Sequence, residues 1–156
     1  MIRCSFTCMS NQWPPRLKKI DILLKKIMQF KEDLHFKKNI DYDCNFILTN
    51  DKLIKKINLK FRKTNQSTDV LTFVSVVNIK MKKTRKICDI FLSAETILKD
   101  SITNGINFYD HLTHIIIHSF LHSNGFVHKK INDFVQMKKK EIKVLKKLSI
   151  SNPYLL

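Results

Sequence analysis

The sequence predicts a single α+β domain in which a mixed sheet of about four strands packs with about five helices. Its 156 residues are 44% hydrophobic, which suffices for one domain with a core and leaves little room for a second. Segments with the alternation of strands are interspersed with segments of helical spacing along the chain. We therefore expect residues 1–156 to form one domain.

Four segments have the alternation or composition of β-strands. Residues 2–8 alternate weakly between apolar and polar, and residues 44–49, 70–77 and 87–92 are rich in β-branched or other apolar side chains. The polar segment 80–86 predicts a turn or loop. The last two strands are therefore expected to form a hairpin around a basic loop.

Three helices are predicted before residue 105. The first follows the break at Trp13 and its two prolines and extends to about Phe30. The second is capped by Asn50 or Asp51, whose short polar side chains can accept from the backbone of a first turn. Ser93 is expected to cap the third in the same way.

Two more helices are predicted towards the C-terminus. Asp110 is expected to cap a helix that carries four histidines, and a second amphipathic helix follows. The apolar positions of the last helix are Ile131, Phe134, Val135, Ile142, Leu145 and Leu148. Its opposite face is rich in lysine, as expected of a surface that faces water.

His118, His122 and His128 have the spacing of a three-ligand metal site. Side chains four residues apart lie on one face of a helix, and Gly125 can end that helix in the left-handed conformation. The chain then turns back and brings His128 towards the same point. Three imidazoles leave one coordination position open and suit zinc, although nickel, copper and iron also accept them. The sequence therefore predicts a metal site on a central helix.

The same spacing occurs in zinc proteases of the pattern His-Glu-x-x-His-x-x-Gly-x-x-His. Ser119 stands where those enzymes have the glutamate that acts as general base, so peptide hydrolysis is disfavoured. His114 lies one helical turn before His118, too far along the axis to be a fourth ligand. A packed histidine is the favoured interpretation there, with a pocket-lining role as the alternative.

Composition narrows the class of partner and the compartment. A net charge of +16, from 29 Lys and Arg against 13 Asp and Glu, indicates a polyanion such as nucleic acid. A/T-biased codon usage would also enrich the chain in lysine, so the charge is only supporting evidence for a nucleic-acid partner. No apolar run approaches the roughly 20 residues of a membrane span, and no signal peptide is recognised, so a cytoplasmic location is expected. The four cysteines are scattered and are expected to be buried or idle thiols: Cys4, Cys8, Cys44 and Cys88.

Residues 118–128 resemble the signature of the YbeY family of bacterial endoribonucleases, His-Gly-x-Leu-His-x-x-Gly-Tyr-Asp-His. Residues 57–62 resemble the family's Leu-Asn-x-x-Tyr-Arg, and residues 68–73 its Thr-Asp-Val-Leu-Ser-Phe. A third block, Gly-Asp-Ile in the family, corresponds to residues 88–90, and the tail at 152–154 is also similar. The blocks occur in family order, which makes them more specific together than the histidines alone.

The resemblance implies one metallo-endoribonuclease domain over residues 1–156 that cleaves single-stranded RNA with one zinc ion. It implies a role in 16S rRNA 3′-end maturation and ribosome quality control, with the small subunit as a partner and no membrane. His118, His122 and His128 would be the metal ligands, and Arg62 would be the arginine of the catalytic cleft.

Four positions depart from the family pattern: Ser119 and Cys88 replace glycines, Phe126 replaces a tyrosine, and Val127 replaces an aspartate. Val127 removes a carboxylate that could orient an imidazole, and such losses can reduce metal affinity or activity roughly tenfold or more. A weakly active or non-catalytic zinc-containing RNA- or ribosome-binding factor is therefore the alternative. A metalloprotease is a distant third.

Arg62 could hold a phosphate in bidentate fashion, which lysine does less well. An ion pair or a surface position is the competing interpretation of Arg62. Lys63 and the segment 80–86 could follow an RNA backbone, but for each residue a solvated charge is the favoured interpretation. The sequence identifies no general base, and Asp69 and Asp89 are candidates for which capping or turn roles are favoured.

Overall fold

A computed structural model describes residues 1–79 and 83–155 of the chain. In chain order its elements are β1 (Ile2–Cys8), α1 (Leu17–Met28), β2 (Ile40–Thr49), α2 (Asp51–Arg62), β3 (Val70–Ile79), β4 (Lys83–Ser93), α3 (Ala94–Thr103), α4 (Phe108–Ser123) and α5 (Ile131–Lys147). The predicted α+β domain with four strands and five helices is confirmed. Among the described helices, none combines the length and apolarity that a membrane crossing requires.

The four strands form one mixed sheet in the order β1-β2-β4-β3. β2 runs parallel to both of its neighbours, whereas β3 and β4 are antiparallel. Their register pairs Val70 with Leu92 at one end and Ile79 with Lys83 at the other, so the predicted hairpin is confirmed. Because β4 lies inside the sheet, it is held by hydrogen bonds on both sides.

The predicted basic loop is wrong over its second half. Residues 80–82 lie outside the described residues, but Lys83 to Lys86 belong to β4. Lys83 lies 3.0 Å from the carboxylate of Asp41, and Arg85 lies 3.6 Å from that of Asp43. Both aspartates are on the neighbouring strand β2, so cross-strand pairing accommodates charges that local sequence assigns to a loop.

One face of the sheet forms the core of the protein. Alternate side chains of β2 point to this face and are fully buried, including Cys44 and Phe46. α4 covers them, with Phe120 packed edge-on against Phe46 at a ring separation of 6.0 Å. Cys88 is also buried in this layer, as expected for an idle thiol, whereas Cys4 and Cys8 are exposed.

Side-chain hydrogen bonds hold the segments that precede α1, α2 and α3 at the end of the sheet. The buried indole of Trp13 donates to the Thr49 carbonyl at 2.7 Å, which fixes the segment before α1 against the end of β2. Asn50, rather than Asp51, caps α2 by accepting from the Leu53 amide at 3.0 Å. Ser93 precedes α3, but its hydroxyl donates to Asp51 at 2.6 Å instead of capping the helix.

The predicted start of the histidine helix is wrong by one turn. α4 begins at Phe108, and Asn107 caps it by accepting from the Tyr109 amide at 2.9 Å. Asp110 therefore lies within the first turn, where its negative charge interacts favourably with the positive end of the helix dipole. Asparagine and aspartate cap equally well, so local sequence did not separate the two positions.

The apolar face predicted for α5 is wrong in its first turn. Ile131 is 82% exposed, and Phe134 and Val135 are also exposed. The buried positions lie further along the helix, at Met137, Glu141, Val144 and Leu145. Helical spacing identified the helix, but the position of α4 determines which turns of it are covered.

Candidate metal centre

α4 presents His118 and His122 from one face, one turn apart. Their Nε2 atoms are 2.9 Å apart, and their rings are nearly perpendicular. His128 follows the end of the helix and returns to the same place. One ring nitrogen from each of the three histidines lies within 4.8 Å of the others. The structure therefore brings the three predicted residues together.

Gly125 ends α4 and redirects the chain towards the other two histidines. Its φ of +91° is a conformation that residues with a Cβ rarely adopt. The Gly125 amide donates to the His122 carbonyl at 3.0 Å, and the Phe126 amide donates to Leu121 at 3.1 Å. This pair of bonds is the Schellman stop, so the predicted role of Gly125 as the helix end is confirmed.

Hydrogen bonds orient two of the imidazoles. His118 donates from Nδ1 to the Glu141 carboxylate at 2.6 Å, and His122 donates from Nδ1 to the Phe126 carbonyl at 2.8 Å. Each Nδ1 therefore holds the proton, and each Nε2 carries a lone pair. Two lone pairs that face each other at 2.9 Å repel unless a cation lies between them. The residues therefore fit a metal ion, for which Nε2 of neutral imidazole is a common ligand.

Glu141 on α5 connects this pair to two more side chains. It is only 1% exposed, and it accepts from His114 Nε2 at 3.0 Å and from the Tyr154 hydroxyl. Burial by itself raises the pKa of Glu141, but hydrogen bonds from His114, His118 and Tyr154 outweigh it and lower the pKa to about 2. The carboxylate is therefore ionised at neutral pH.

The imidazole of His122 is held in its neutral form. Burial, and then the repulsion that a protonated His118 would exert, lower the pKa of His122 to about 4. The hydrogen bond to the Phe126 carbonyl acts in the opposite direction but is weaker. Neutral imidazole is the form that binds metal.

A cavity of about 330 Å³ opens above the three histidines. Arg62, at the end of α2, forms part of its wall, although α2 and α4 are distant in sequence. Arg62 is exposed, and the ion pairs of the described residues do not include it. Its guanidinium carbon lies 6.0 Å from the Phe73 ring centre. The arginine can therefore reach an anion in the cavity without breaking an ion pair.

The two candidate general bases, Asp69 and Asp89, lie in different parts of the structure. Asp69 lines the cavity, where its Oδ1 accepts from the Val70 amide at 2.7 Å. Asp89 lies on the other face of the sheet and accepts from the Asn45 side-chain amide at 2.8 Å. Lys63 lies beyond α2 in a left-handed C-cap and does not line the cavity.

Comparison with known proteins identifies the family. A family model described as Endoribonuclease YbeY matches residues 8–149. The chain belongs to the YbeY endoribonuclease family. The prediction from the motifs is therefore confirmed, and membership places the chain among hydrolytic endoribonucleases.

Individual relatives agree with the family assignment. The chain is 32% identical to the endoribonuclease YbeY of Bartonella quintana over 155 residues, which cover 99% of this chain and 98% of the relative. It is 32% identical to the protein of the same name from Neorickettsia sennetsu, over 89% and 92% of the two chains. A protein of Thermotoga maritima with a known solution structure has the same fold, with a TM-score of 0.54 at 22% identity over 96% and 92% of the chains.

The departures from the YbeY pattern have different structural consequences. Ser119 is fully buried, and its hydroxyl donates to the Ile115 carbonyl within α4, so it is satisfied away from the histidines. Val127 is 41% exposed. The carboxylate that orients His118 comes from Glu141 instead, so the position of Val127 does not leave that imidazole without a partner.

Glu141 is absent from the predicted site, and His114 was expected to be a packed side chain. His114 lines the cavity and donates to Glu141, so the pocket-lining alternative applies and not simple packing. A signal for Glu141 was present, because it is an acidic residue in line with the buried positions of a lysine-rich helix. A buried carboxylate needs hydrogen-bond donors, and the histidines of α4 are donors that could have been predicted for Glu141.

Proposed function

We propose that this YbeY-family chain is a single-strand-specific, metal-dependent endoribonuclease, with residues 1–156 as one metallo-endoribonuclease domain. One zinc ion would be held by His118, His122 and His128. The observation that carries the proposal is the pair of Nε2 atoms 2.9 Å apart, each imidazole being hydrogen-bonded through its other nitrogen. A histidine that binds a metal through one ring nitrogen typically donates a hydrogen bond from the other.

The chemistry divides between the ion and the side chains around it. When bound, zinc would acidify a water molecule or polarise a phosphoryl oxygen. Glu141 holds the protonated Nδ1 of His118 in place, so that Nε2 keeps its lone pair directed at the site. Arg62 would bind a non-bridging phosphate oxygen pair from the facing wall and position the phosphodiester. Asp69 lines the same cavity, and its Oδ1 accepts from the Val70 amide.

RNA as the substrate is supported by the family and by charge. The net charge of +16 favours a polyanion, and the cavity wall contributes a free guanidinium. The family motifs support the finer proposal of 16S rRNA 3′-end maturation and ribosome quality control on the small subunit. A cytoplasmic location stays a prediction from the sequence.

One observation favours a second candidate, a weakly active or non-catalytic zinc-containing RNA-binding factor. His128 is exposed, and among the described residues its ring makes no hydrogen bond that would orient it. The residue before it is Val127, where the family has an aspartate. A loosely held third ligand would lower metal affinity and activity.

The test uses the purified full chain, a labelled single-stranded RNA and the same RNA annealed to its complement. Zinc content is measured first, and cleavage is then followed with and without chelator. We expect cleavage of the single strand only, its loss on chelation, and its recovery when zinc is added back. His118→Ala should lose at least a hundredfold in rate and bind no zinc at this site.

His35→Asn is the matched control for His118→Ala. His35 is exposed and has a φ of +62°, which asparagine tolerates, so this variant should keep both metal and activity. Cleavage by His118→Ala at the wild-type rate would contradict the proposed site. Normal zinc content and salt-sensitive RNA binding without cleavage would favour the binding factor.

A test of the proposed role in 16S rRNA 3′-end maturation requires a ribosomal substrate. Small subunits that carry 3′-extended 16S rRNA would be incubated with wild-type and His118→Ala protein, and the 3′ ends would be mapped by sequencing. We expect shortening by the wild type alone. Efficient cleavage of free RNA combined with an unchanged 16S 3′ end would exclude the maturation role and leave the nuclease activity intact.

A further inference from the structure

A second group of metal-ligating side chains lies beyond the histidine site. Asp69 comes directly before β3, Asp100 is on α3, and His111 is in the first half of α4. One carboxylate oxygen from each aspartate and one His111 ring nitrogen lie within 4.8 Å of one another. Two ligands of a common transition-metal ion lie at most about 4.4 Å apart, so small side-chain rotations suffice.

His111 shows that this group is incomplete without a ligand. Both of its ring nitrogens are buried, and neither has a hydrogen-bond partner in the described part of the chain. An imidazole always has at least one N–H and in its neutral form one lone pair, and burying both without partners is unfavourable. Burial lowers the pKa of His111, which favours the neutral form with a lone pair available.

The two carboxylates also lack a cation. Neither Asp69 nor Asp100 takes part in the ion pairs found among residues 1–79 and 83–155. Burial raises the pKa of Asp100, and the neighbouring charge of Asp69 raises it further. Two partly buried negative charges next to an unpartnered imidazole are stabilised together by one divalent cation.

We propose that Asp69, Asp100 and His111 bind a second divalent transition-metal ion, beyond the zinc proposed for the three histidines. Two carboxylate oxygens and one imidazole suit Mn²⁺ or Zn²⁺, with water completing the shell. The ion would join the start of β3, α3 and α4 at one point. It would also place positive charge on the wall of the cavity above the histidines, since Asp69 and His111 both line it.

This site is separate from the histidine site. His111 and His118 are seven residues apart on α4, which corresponds to about 10 Å along the helix axis. Paired catalytic metals lie about 4 Å apart, so the second ion would not share a ligand with the first. Its occupancy can therefore be measured independently of catalysis.

The experiment counts bound Mn²⁺ by the loss of its free electron paramagnetic resonance signal. Mn²⁺ is chosen because it binds thiolates poorly, which excludes the cysteines. The His118→Ala variant isolates the second site, and we expect it to bind one equivalent. Adding Asp100→Asn or His111→Gln should weaken this binding at least tenfold, whereas adding Asp21→Asn should leave it unchanged.

Asp21 is a suitable control because its side chain is 49% exposed and pairs with Lys25 on the surface of α1. Circular dichroism establishes that each variant is folded, and two different ligand substitutions guard against the failure of one. No Mn²⁺ bound by folded His118→Ala would overturn the proposal. Equal binding by His118→Ala and by both folded double variants would overturn it as well.

Discussion

Glu141 is the residue whose hydrogen bonds connect the candidate metal centre to the rest of the fold. Its two oxygens accept from His118, His114 and Tyr154, which come from α4 and from the C-terminal segment. A carboxylate buried on this scale is stabilised only when such partners surround it. The side chain therefore sets both the tautomer of His118 and the direction of its free lone pair.

Replacing Glu141 with glutamine tests this positioning role at the residue scale. The amide keeps the size of the side chain but loses the charge that fixes the Nδ1 proton of His118. We expect zinc affinity to fall by about tenfold to a hundredfold, measured by competition with a chromophoric chelator. Glu32→Gln, at a side chain 76% exposed, is the control and should bind zinc normally. Unchanged affinity in Glu141→Gln would exclude the orienting role.

At the scale of elements, the end of α4 decides whether His128 can reach the other histidines. The helix stops at a left-handed glycine, and the side-chain amide of Asn124 donates to the Leu34 carbonyl at 2.9 Å. The stop is therefore fixed both by local backbone geometry and by a distant loop. A shift of this turn would move His128 while leaving His118 and His122 in place.

Gly125→Ala is expected to reduce both stability and metal affinity. The added Cβ meets no atom within 4 Å, so the penalty comes from the φ of +91° and should be about 1–2 kcal/mol. Gly105→Ala is a matched control, since Gly105 has a φ of +64° and equally open space. It should lower stability in urea unfolding without changing zinc affinity. Equal zinc affinity in the two variants would show that the turn does not position His128.

Acid should weaken the attachment of α5 to the loop after α1. Hydrogen bonds from Lys143 and then Lys147, at 2.8 and 2.6 Å, lower the pKa of Asp33. A lowered folded pKa stabilises the protein above the unfolded value of 3.8, and the gain is lost as pH falls from there through the folded pKa. Asp33→Asn should therefore be less stable than wild type at pH 7, and the difference should shrink as the pH falls through the folded pKa of Asp33.

The measurement for Asp33 is the free energy of unfolding in urea as a function of pH. Asp21→Asn is the comparison, because Asp21 pairs with a single exposed lysine in the same helix. A stability difference between Asp33→Asn and wild type that persists undiminished to pH 2 would contradict the assignment.

For the whole molecule, charge and geometry make separate contributions to RNA binding. The net charge of +16 predicts affinity for single-stranded RNA that falls as salt rises, with a log–log slope of about −0.7 for each phosphate contacted. Arg62→Ala should reduce that slope by about 0.7. Arg62→Lys should keep the slope, because it keeps the charge, but should lose at least tenfold in cleavage rate.

Lys18→Ala is the control for Arg62, because Lys18 is an exposed cation on α1 and does not line the cavity. It should change neither the slope nor the rate. Fluorescence anisotropy at several salt concentrations measures the slope, and the single-strand cleavage assay measures the rate. A cleavage rate for Arg62→Lys equal to that of wild type would show that Arg62 does not need to bind the phosphate in bidentate fashion.

Local patterns predicted the elements better than their boundaries or their faces. The hairpin of β3 and β4 and the glycine stop of α4 were predictable because strand alternation and left-handed glycine are local properties. The strand extension over Lys83–Lys86 was not, because carboxylates on β2 neutralise those charges. The exposed start of α5 was missed for a similar reason, since its neighbours decide which turns are covered.

The family, the fold class and the spacing of His118, His122, Gly125 and His128 can all be recognised without the structure. All four residues lie within eleven positions, where helix geometry and one glycine relate them. The side chains that orient and surround them are known only from the three-dimensional fold. Glu141 is 23 residues from His118 along the chain, and Arg62 is further still. Such contacts arise from the packing of separate elements, which no periodicity within a single segment encodes.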